Sequence, residues 1–297
     1  MSWVELTKEI AVWSTLALAI GIAVYVLGSF FIMRAHTDPR PWRASLRAAL
    51  RETFWVILTQ PLLPLWYVVG RRMGGKHGKP GGVPVIFVHG YFQNRVDFLG
   101  FARAMARAHD APLFGFNYPW TDLVPRNAKR LAKFIEGVCA ETGAKQVDLV
   151  CHSLGGLVAL EYIHEGGDVR VRRCVTVASP HAGVSWKGPV IGTIGLGQQV
   201  RHGCAFLRDR AGRQIAIPCL SIYSTHDNVV HPPATSALAG RGGTDMVIDG
   251  AGHLSLLFMP KVHDEVVAFL RDSALIEASP SDGTELEHET SGAVATS

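Results

Sequence analysis

The chain has 297 residues, enough for one catalytic domain of ordinary size with flanking segments. Hydrophobic residues make up 48% of it and charged residues 18%, which is more apolar than is usual for a soluble enzyme. The net charge is only +4, and the sequence contains neither a basic patch interleaved with aromatic residues nor zinc-finger spacing. We therefore exclude nucleic acid as a partner and predict no metal ion and no cofactor.

Residues 1–38 predict a transmembrane anchor. Residues 10–33 carry no charged side chain and are bounded by Glu9 and Arg34. As a helix this run would extend about 36 Å, enough to cross a hydrocarbon core of about 30 Å. A cleavable signal peptide and a buried helix of a soluble protein are the alternatives. A signal peptide normally has a shorter apolar region that ends in small residues, whereas this run ends in bulky ones.

Basic residues follow the predicted span rather than precede it. Lys8 stands before it between Glu5 and Glu9, whereas the residues after it include Arg34, Arg40, Arg43, Arg47 and Arg51. The positive-inside rule then predicts a single-pass protein of the cell (inner) membrane. Its catalytic domain would lie in the cytoplasm, with the periplasmic face as the alternative.

Residues 39–82 predict an amphipathic segment and a linker. Arginines alternate with leucines at helical spacing over 42–55, which is typical of a helix in the membrane interface. Packing of this helix on the catalytic domain is an open alternative. The apolar stretch 54–70 contains Pro61 and Pro64, which interrupt a helix, and the Gly-, Lys- and Pro-rich residues 74–82 indicate a linker.

From residue 83 onward, short apolar runs alternate with helical patterns. The predicted strands are 83–88, 113–117, 146–151, 173–178, 220–224 and 246–248, and the predicted helices are 96–108, 124–142, 154–165 and 260–273. This alternation predicts an α/β domain over 83–276, with a mostly parallel sheet flanked by helices. Residues 277–297 are poor in apolar side chains and predict a disordered tail.

The segment 151–156 joins a predicted strand to a predicted helix. This is the context of a nucleophile elbow, a tight turn that exposes a serine. The turn needs small residues two positions before and after that serine. Gly155 meets the requirement, and Cys151 replaces the usual first glycine. Ser153 is therefore the predicted nucleophile.

Two later strand ends carry an acid and a base. Asp227 follows the predicted strand 220–224, and His253 follows 246–248. His253 would accept the proton of the Ser153 hydroxyl, while Asp227 would orient the imidazole and stabilise its charged form. Asp249 is a rival acid that we disfavour, because it stands very close to His253 in the sequence.

An oxyanion formed in acyl transfer needs two hydrogen-bond donors. The predicted donors are the backbone N–H groups of Leu154, at the start of a helix, and of Tyr91, in the turn that follows an earlier strand.

Several motifs together resemble the bacterial triacylglycerol lipases and esterases of the α/β-hydrolase superfamily. They are Val88-His89-Gly90-Tyr91, His152-Ser153-Leu154-Gly155-Gly156, Ala178-Ser179-Pro180-His181-Ala182-Gly183, His226-Asp227-Asn228 and Gly252-His253-Leu254. The resemblance covers residues 83–273 and extends to a branch with an amino-terminal membrane segment. It implies the α/β-hydrolase fold, the triad Ser153, Asp227 and His253, and the donors Tyr91 and Leu154. The ligands of the calcium site common in secreted lipases are not matched.

The resulting prediction is a carboxylic-ester hydrolase that cleaves lipid or other apolar acyl esters through an acyl-enzyme. An acyltransferase or a thioesterase would use the same triad. A membrane-tethered binding protein on a hydrolase scaffold is the non-catalytic alternative. Acyl-chain length, head group and oligomeric state are not predicted. The glycine-rich residues 183–203 are a candidate lid or an ordinary loop.

Overall fold

The computed structural model describes residues 2–74, 82–108, 110–185 and 196–271, and six strands in these residues form one parallel sheet. The strand order is β2-β1-β3-β4-β5-β6. Their bounds are β1 Val85–Val88, β2 Leu113–Phe116, β3 Val147–His152, β4 Val171–Val177, β5 Cys219–Ser224 and β6 Thr244–Ile248. The first three strands are buried along their whole length, as expected of apolar runs in a sheet covered on both faces.

Helices cover both faces of this sheet. Those of the described residues are α1 Trp3–Ala35, α2 Trp42–Thr59, α3 Leu99–Ala108, α4 Val124–Thr142, α5 Leu154–His164, α6 Leu196–Gln199, α7 Ala205–Arg208 and α8 Pro260–Arg271. One core cluster contains side chains of α4 and α5, and the other contains side chains of α3 and α8. The predicted fold class, a parallel sheet flanked by helices, is confirmed.

Two predicted segments are subdivided in the structure. The predicted helix 96–108 begins as a 3-10 turn, Arg95–Phe98, because the Asn94 side chain accepts the Val96 N–H at 2.9 Å and caps a separate turn. The apolar stretch after α2 forms a 3-10 helix, Gln60–Tyr67, which contains both prolines. Proline removes a backbone donor, so α2 ends at Thr59.

Contacts with the sheet begin before residue 83. The N–H of Met73 donates to the carbonyl of Leu113 at 2.9 Å, and the N–H of Gly115 donates to the carbonyl of Arg71 at 2.8 Å. Residues 71–73 therefore lie antiparallel along the outer edge of β2.

Helix α1 is the one helix of the described residues long and apolar enough to cross a membrane, with a mean hydropathy of 2.4 over an 18-residue window. A capping box between Ser2 and Glu5 begins it. Its buried residues lie in its last third: Val26, Ser29, Phe30 and Met33. They pack on Ala48 and Ala49 of α2, while most of the preceding helix is exposed.

Helix α2 packs on the catalytic domain by one face. The Trp55 indole stacks on the Phe258 ring with centroids 4.1 Å apart. The opposite face exposes large apolar side chains, which are Trp42, Leu46, Leu50 and Phe54. The structure therefore shows the packing on the catalytic domain that the sequence left open, while a place of the outward apolar face in a membrane interface stays a prediction.

Three predicted segments lie wholly or partly outside the described residues. These are the tail 277–297, residues 186–195 of the candidate lid, and residues 75–81 of the linker.

Candidate active site

Ser153 occupies the turn between β3 and α5. Its backbone has φ 51° and ψ −123°, a conformation that costs a residue with a side chain about 1–3 kcal/mol. Its N–H donates to the carbonyl of Val177 at 2.9 Å. A Cβ atom on Gly155 would lie 2.3 Å from the carbonyl oxygen of Val88, so α5 begins in near contact with the end of β1. These are the strain and the close approach that the elbow motif predicts.

His253 and Asp227 form a buried pair beyond the ends of β6 and β5. Nδ1 of His253 lies 2.9 Å from Oδ2 and 3.1 Å from Oδ1 of Asp227. Oδ1 also accepts the backbone N–H groups of Val229 and Val230, at 2.8 and 2.7 Å. These bonds fix the carboxylate, which accepts the Nδ1 proton of His253. The other ring nitrogen, Nε2, is then the one that can accept a proton.

The rival acid Asp249 has different partners. It is exposed, accepts the hydroxyl of Thr225, and lies 3.2 Å from Nδ1 of His226. Among the two aspartates, the structure pairs His253 with Asp227.

The charge of Asp227 changes the basicity of His253. Burial disfavours the imidazolium, but the carboxylate and its hydrogen bond favour it more strongly, and the Glu52 carboxylate adds to the effect. The pKa of His253 is therefore raised above its ordinary value. This is the direction that makes a stronger base.

His152 joins the serine turn to the histidine loop. Its Nε2 lies 3.1 Å from the carbonyl oxygen of His253, and its Nδ1 lies 2.7 Å from Oε1 of Gln93. The same Gln93 oxygen accepts the N–H of Gly90 at 2.8 Å. Burial lowers the pKa of His152 well below its ordinary value. The ends of β1 and β3 and the loop after β6 are thus connected through one buried side chain.

The predicted oxyanion donors flank the serine. A Cβ atom on Gly90 would lie 2.7 Å from Cβ of Ser153, so the turn that leads to Tyr91 touches the elbow. In the described parts of the chain, the N–H groups of Tyr91 and Leu154 have no hydrogen-bond acceptor. His89 supports this turn: its ring stacks on Tyr118 at 4.3 Å, and burial lowers its pKa to about 4.

His181 lies in the turn after β4, where it is buried beside the sheet. Its Nε2 is 3.0 Å from the Thr176 hydroxyl, and burial lowers the pKa of His181 to about 3.

A cavity of about 40 Å³ opens beside Ser153. Apart from the serine, its described lining is apolar or backbone: Tyr91, Leu154, Pro180, Val184, Gly197, Val200, Val229 and Val230. A cavity of this size has room for about three water molecules, so a long acyl chain would extend beyond it.

Two contacts in this site were not predicted from the sequence. The Glu52 carboxylate accepts backbone N–H groups of the His253 loop, and the Asn228 amide accepts that of His253 itself. One signal for Glu52 was present. It is the sole acidic residue of α2 and continues a helical row of small residues, Ser45, Ala48 and Ala49, which is typical of a packed helix face.

Comparisons with known proteins bear on the fold that carries this site. Residues 85–213 match the alpha/beta hydrolase family. Triacylglycerol lipases of Burkholderia plantarii and Pseudarthrobacter phenanthrenivorans are each 31% identical to the chain, over 155 and 108 residues. These alignments cover 46% and 34% of this chain and 41% and 34% of the two lipases, so the chain spans less than half the length of these relatives.

A solved structure supports the fold. The crystal structure of Aspergillus fumigatus lipase B superposes with a TM-score of 0.58 at 22% identity, covering 72% of this chain and 57% of that one. The order of the sheet, the match to the family model and this superposition together show the α/β-hydrolase fold, and the chain resembles lipases and esterases of that fold.

Proposed function

We propose that the protein is a serine carboxylic-ester hydrolase that acts on lipid or other apolar acyl esters. The observation that carries this proposal is the buried contact between His253 and Asp227, 2.9 Å long, on the loop that His152 links to the strained turn of Ser153. A nucleophile, a base and a group that orients the base are the parts that acyl transfer requires.

In the first half of the reaction, Oγ of Ser153 attacks the ester carbonyl carbon and its proton passes to Nε2 of His253. The N–H groups of Tyr91 and Leu154 stabilise the oxyanion of the tetrahedral intermediate. Collapse of this intermediate breaks the bond to the alcohol oxygen, which takes the proton from His253. The acyl group remains on Ser153.

In the second half, water attacks the acyl carbon and gives a proton to His253. The second tetrahedral intermediate collapses, the proton returns to Oγ of Ser153, and the carboxylic acid leaves. Asp227 keeps the Nδ1 proton in place throughout and stabilises each transient imidazolium.

The substrate class is inferred from the cavity. Its lining offers apolar contacts beside the reacting serine, which suits an acyl chain better than a charged group. The names of the two related lipases are consistent with this choice.

The test uses the detergent-solubilised full chain and p-nitrophenyl esters of graded acyl length. Ser153→Ala should lower kcat by on the order of 10⁴-fold or more, and a fluorophosphonate probe should label Ser153. Ser221→Ala removes another buried serine hydroxyl, bonded to the Ser236 carbonyl at 2.6 Å, and should keep the rate per folded enzyme. Labelling at another residue, or an active Ser153→Ala variant, would contradict the proposal.

We also propose that α1 anchors the protein as a single span of the inner membrane, with the hydrolase on the cytoplasmic side. The length and apolar composition of α1, the exposed apolar face of α2 and the arginines that follow α1 support this arrangement. The full chain should remain in the membrane pellet after a carbonate wash. Digestion of the hydrolase by protease added to spheroplasts would contradict the cytoplasmic orientation.

A further inference from the structure

Three consecutive backbone N–H groups of the His253 loop are bound by side chains. The N–H of His253 donates to Oδ1 of Asn228 at 3.0 Å. The N–H groups of Leu254 and Ser255 donate to Oε1 and Oε2 of Glu52, both at 2.8 Å. The backbone that carries the histidine is therefore held at three successive positions, two of them by one carboxylate.

Glu52 reaches this loop from the N-terminal part of the chain. It lies on the inner face of α2 and is 2% exposed. A Cβ atom on Gly252 would lie 2.5 Å from its Oε2, so the residue before His253 can only be glycine without a shift. The loop and the carboxylate thus fit against each other with no intervening side chain.

A buried carboxylate requires compensation for its lost hydration. Burial and the nearby Asp227 carboxylate raise the pKa of Glu52 above its ordinary value, and the two backbone N–H groups and His253, which favour its ionised form, offset only part of this shift. Both oxygens act as acceptors, which is the pattern of a carboxylate. A glutamine would present one oxygen and one NH₂ group to the same two donors, and one N–H would lose its acceptor.

We propose that Glu52 is a positioning residue of the active site, which fixes the His253 loop through two backbone hydrogen bonds and places a second negative charge behind the imidazole. This inference rests on the proposed function, because it assigns His253 the role of base. It also makes α2, outside the predicted boundary of the catalytic domain, a part of the catalytic machinery.

The charge of Glu52 has a defined effect on His253. The charged or titratable groups that face His253 are Asp227, Glu52 and His152, and Tyr25 of α1 faces Glu52 in turn. Both carboxylates raise the pKa of His253. Removal of the Glu52 charge must therefore lower that pKa. Because the base form of His253 is the active one, the acid limb of the pH profile should move to lower pH.

The experiment compares pH profiles of kcat/KM for the full chain in detergent. Glu52→Gln should lower the plateau about 10- to 100-fold, since a buried N–H loses its acceptor, and should move the acid limb to lower pH. The control is Glu165→Gln, which removes an exposed carboxylate at the far end of α5, about 18 Å along the helix from Ser153. This control variant should keep both the wild-type plateau value of kcat/KM and the wild-type position of the acid limb.

A second variant separates the effect of the carboxylate charge from the effect of the side-chain length. Glu52→Asp keeps the charge but shortens the side chain, so its plateau should fall while its acid limb stays near that of the wild type. The position of the limb does not depend on how much enzyme is folded, so partial unfolding of a variant leaves the comparison valid. If the acid limb of the kcat/KM profile is not shifted in Glu52→Gln, whatever activity that variant retains, the proposal is overturned. A wild-type chain that neither reacts with fluorophosphonate nor cleaves esters instead overturns the proposed function on which it rests.

Discussion

The serine turn and the histidine loop are held in place in two different ways. Ser153 is fixed by its own neighbourhood: the strand before it, the helix after it, and the backbone of adjacent strands that touches Gly155. The loop of His253 is fixed by side chains from elsewhere, and its two bonds to Glu52 span 202 and 203 positions of the chain. One position is therefore held by the backbone of the sheet itself, whereas the other depends on side chains of a distant segment.

This difference predicts two kinds of response to substitution. Changes at the serine turn should abolish chemistry or disturb folding, because backbone atoms there have no room to move. Changes around the histidine loop should give graded losses of rate, since each side chain supplies one or two of several bonds.

The largest effect is expected at the acid. Asp227→Asn should lower kcat about 10⁴-fold with the fold intact, because an amide in place of the carboxylate favours the wrong histidine tautomer. Asp249→Asn is the matched control and should change kcat less than about threefold, since its partners are Thr225 and His226. Steady-state kinetics with a p-nitrophenyl ester measures both. The reverse ranking would assign the acid to Asp249.

The next effect is on stability. Gly155→Ala would force a methyl group to within 2.3 Å of the Val88 carbonyl oxygen, and should lower the free energy of unfolding by about 1–3 kcal/mol or more. Gly137→Ala, in α4, meets no atom within 4 Å and should raise it by about 0.5–1 kcal/mol. Denaturant unfolding in detergent measures both changes. Equal stabilities of the two variants would mean that the elbow tolerates a larger residue.

A smaller loss is expected at the amide that binds His253. Asn228→Ala removes the acceptor of the His253 N–H, so kcat should fall about tenfold with little change in KM. The measurement compares the change in kcat with the change in KM between Asn228→Ala and the wild type. A rise in KM alone would indicate that Asn228 contacts substrate rather than orienting the loop.

The smallest effect is expected from α1. The Asn228 amide nitrogen donates to Oγ of Ser29 at 2.7 Å, so Ser29→Ala should lower kcat about two- to threefold by loosening Asn228. In the double variant with Asn228→Ala, the Ser29 substitution should have no further effect. If the losses of kcat in the two single variants instead add up in the double variant, the two residues act separately.

The bounds of helices and strands that are marked by their own flanking residues were predicted well from the sequence. The predicted bounds of α4 agree with the structure because Pro125 lies in its first turn and Gly143, with φ 71°, follows its last residue. The strand ends were placed within a few residues, since each apolar run is bordered by polar or turn residues. The structure also brings His253 to Asp227, as predicted, although the catalytic roles of both stay a proposal.

The partners of α2 were not predictable in the same way. Its alternating arginines and leucines fit a membrane interface and a packed helix equally, and only the tertiary structure shows which face packs on the domain and which is exposed. The role of Glu52 depends on amides about two hundred residues later, and a backbone N–H carries no sequence signal. Contacts of this kind require the fold to be known first.

The length of α1 has a consequence for how the enzyme would meet its substrate. At 33 residues the helix extends about 50 Å, longer than a hydrocarbon core of about 30 Å, and its last third packs on α2. If α1 spans the bilayer as proposed, only residues 36–41 separate it from α2, and the cavity beside Ser153 would stay at a nearly constant height above the lipid. The reaction rate would then follow the surface density of the ester in the surrounding leaflet, not its bulk concentration. Diluting the substrate with inert lipid at fixed total ester should slow the membrane-bound enzyme.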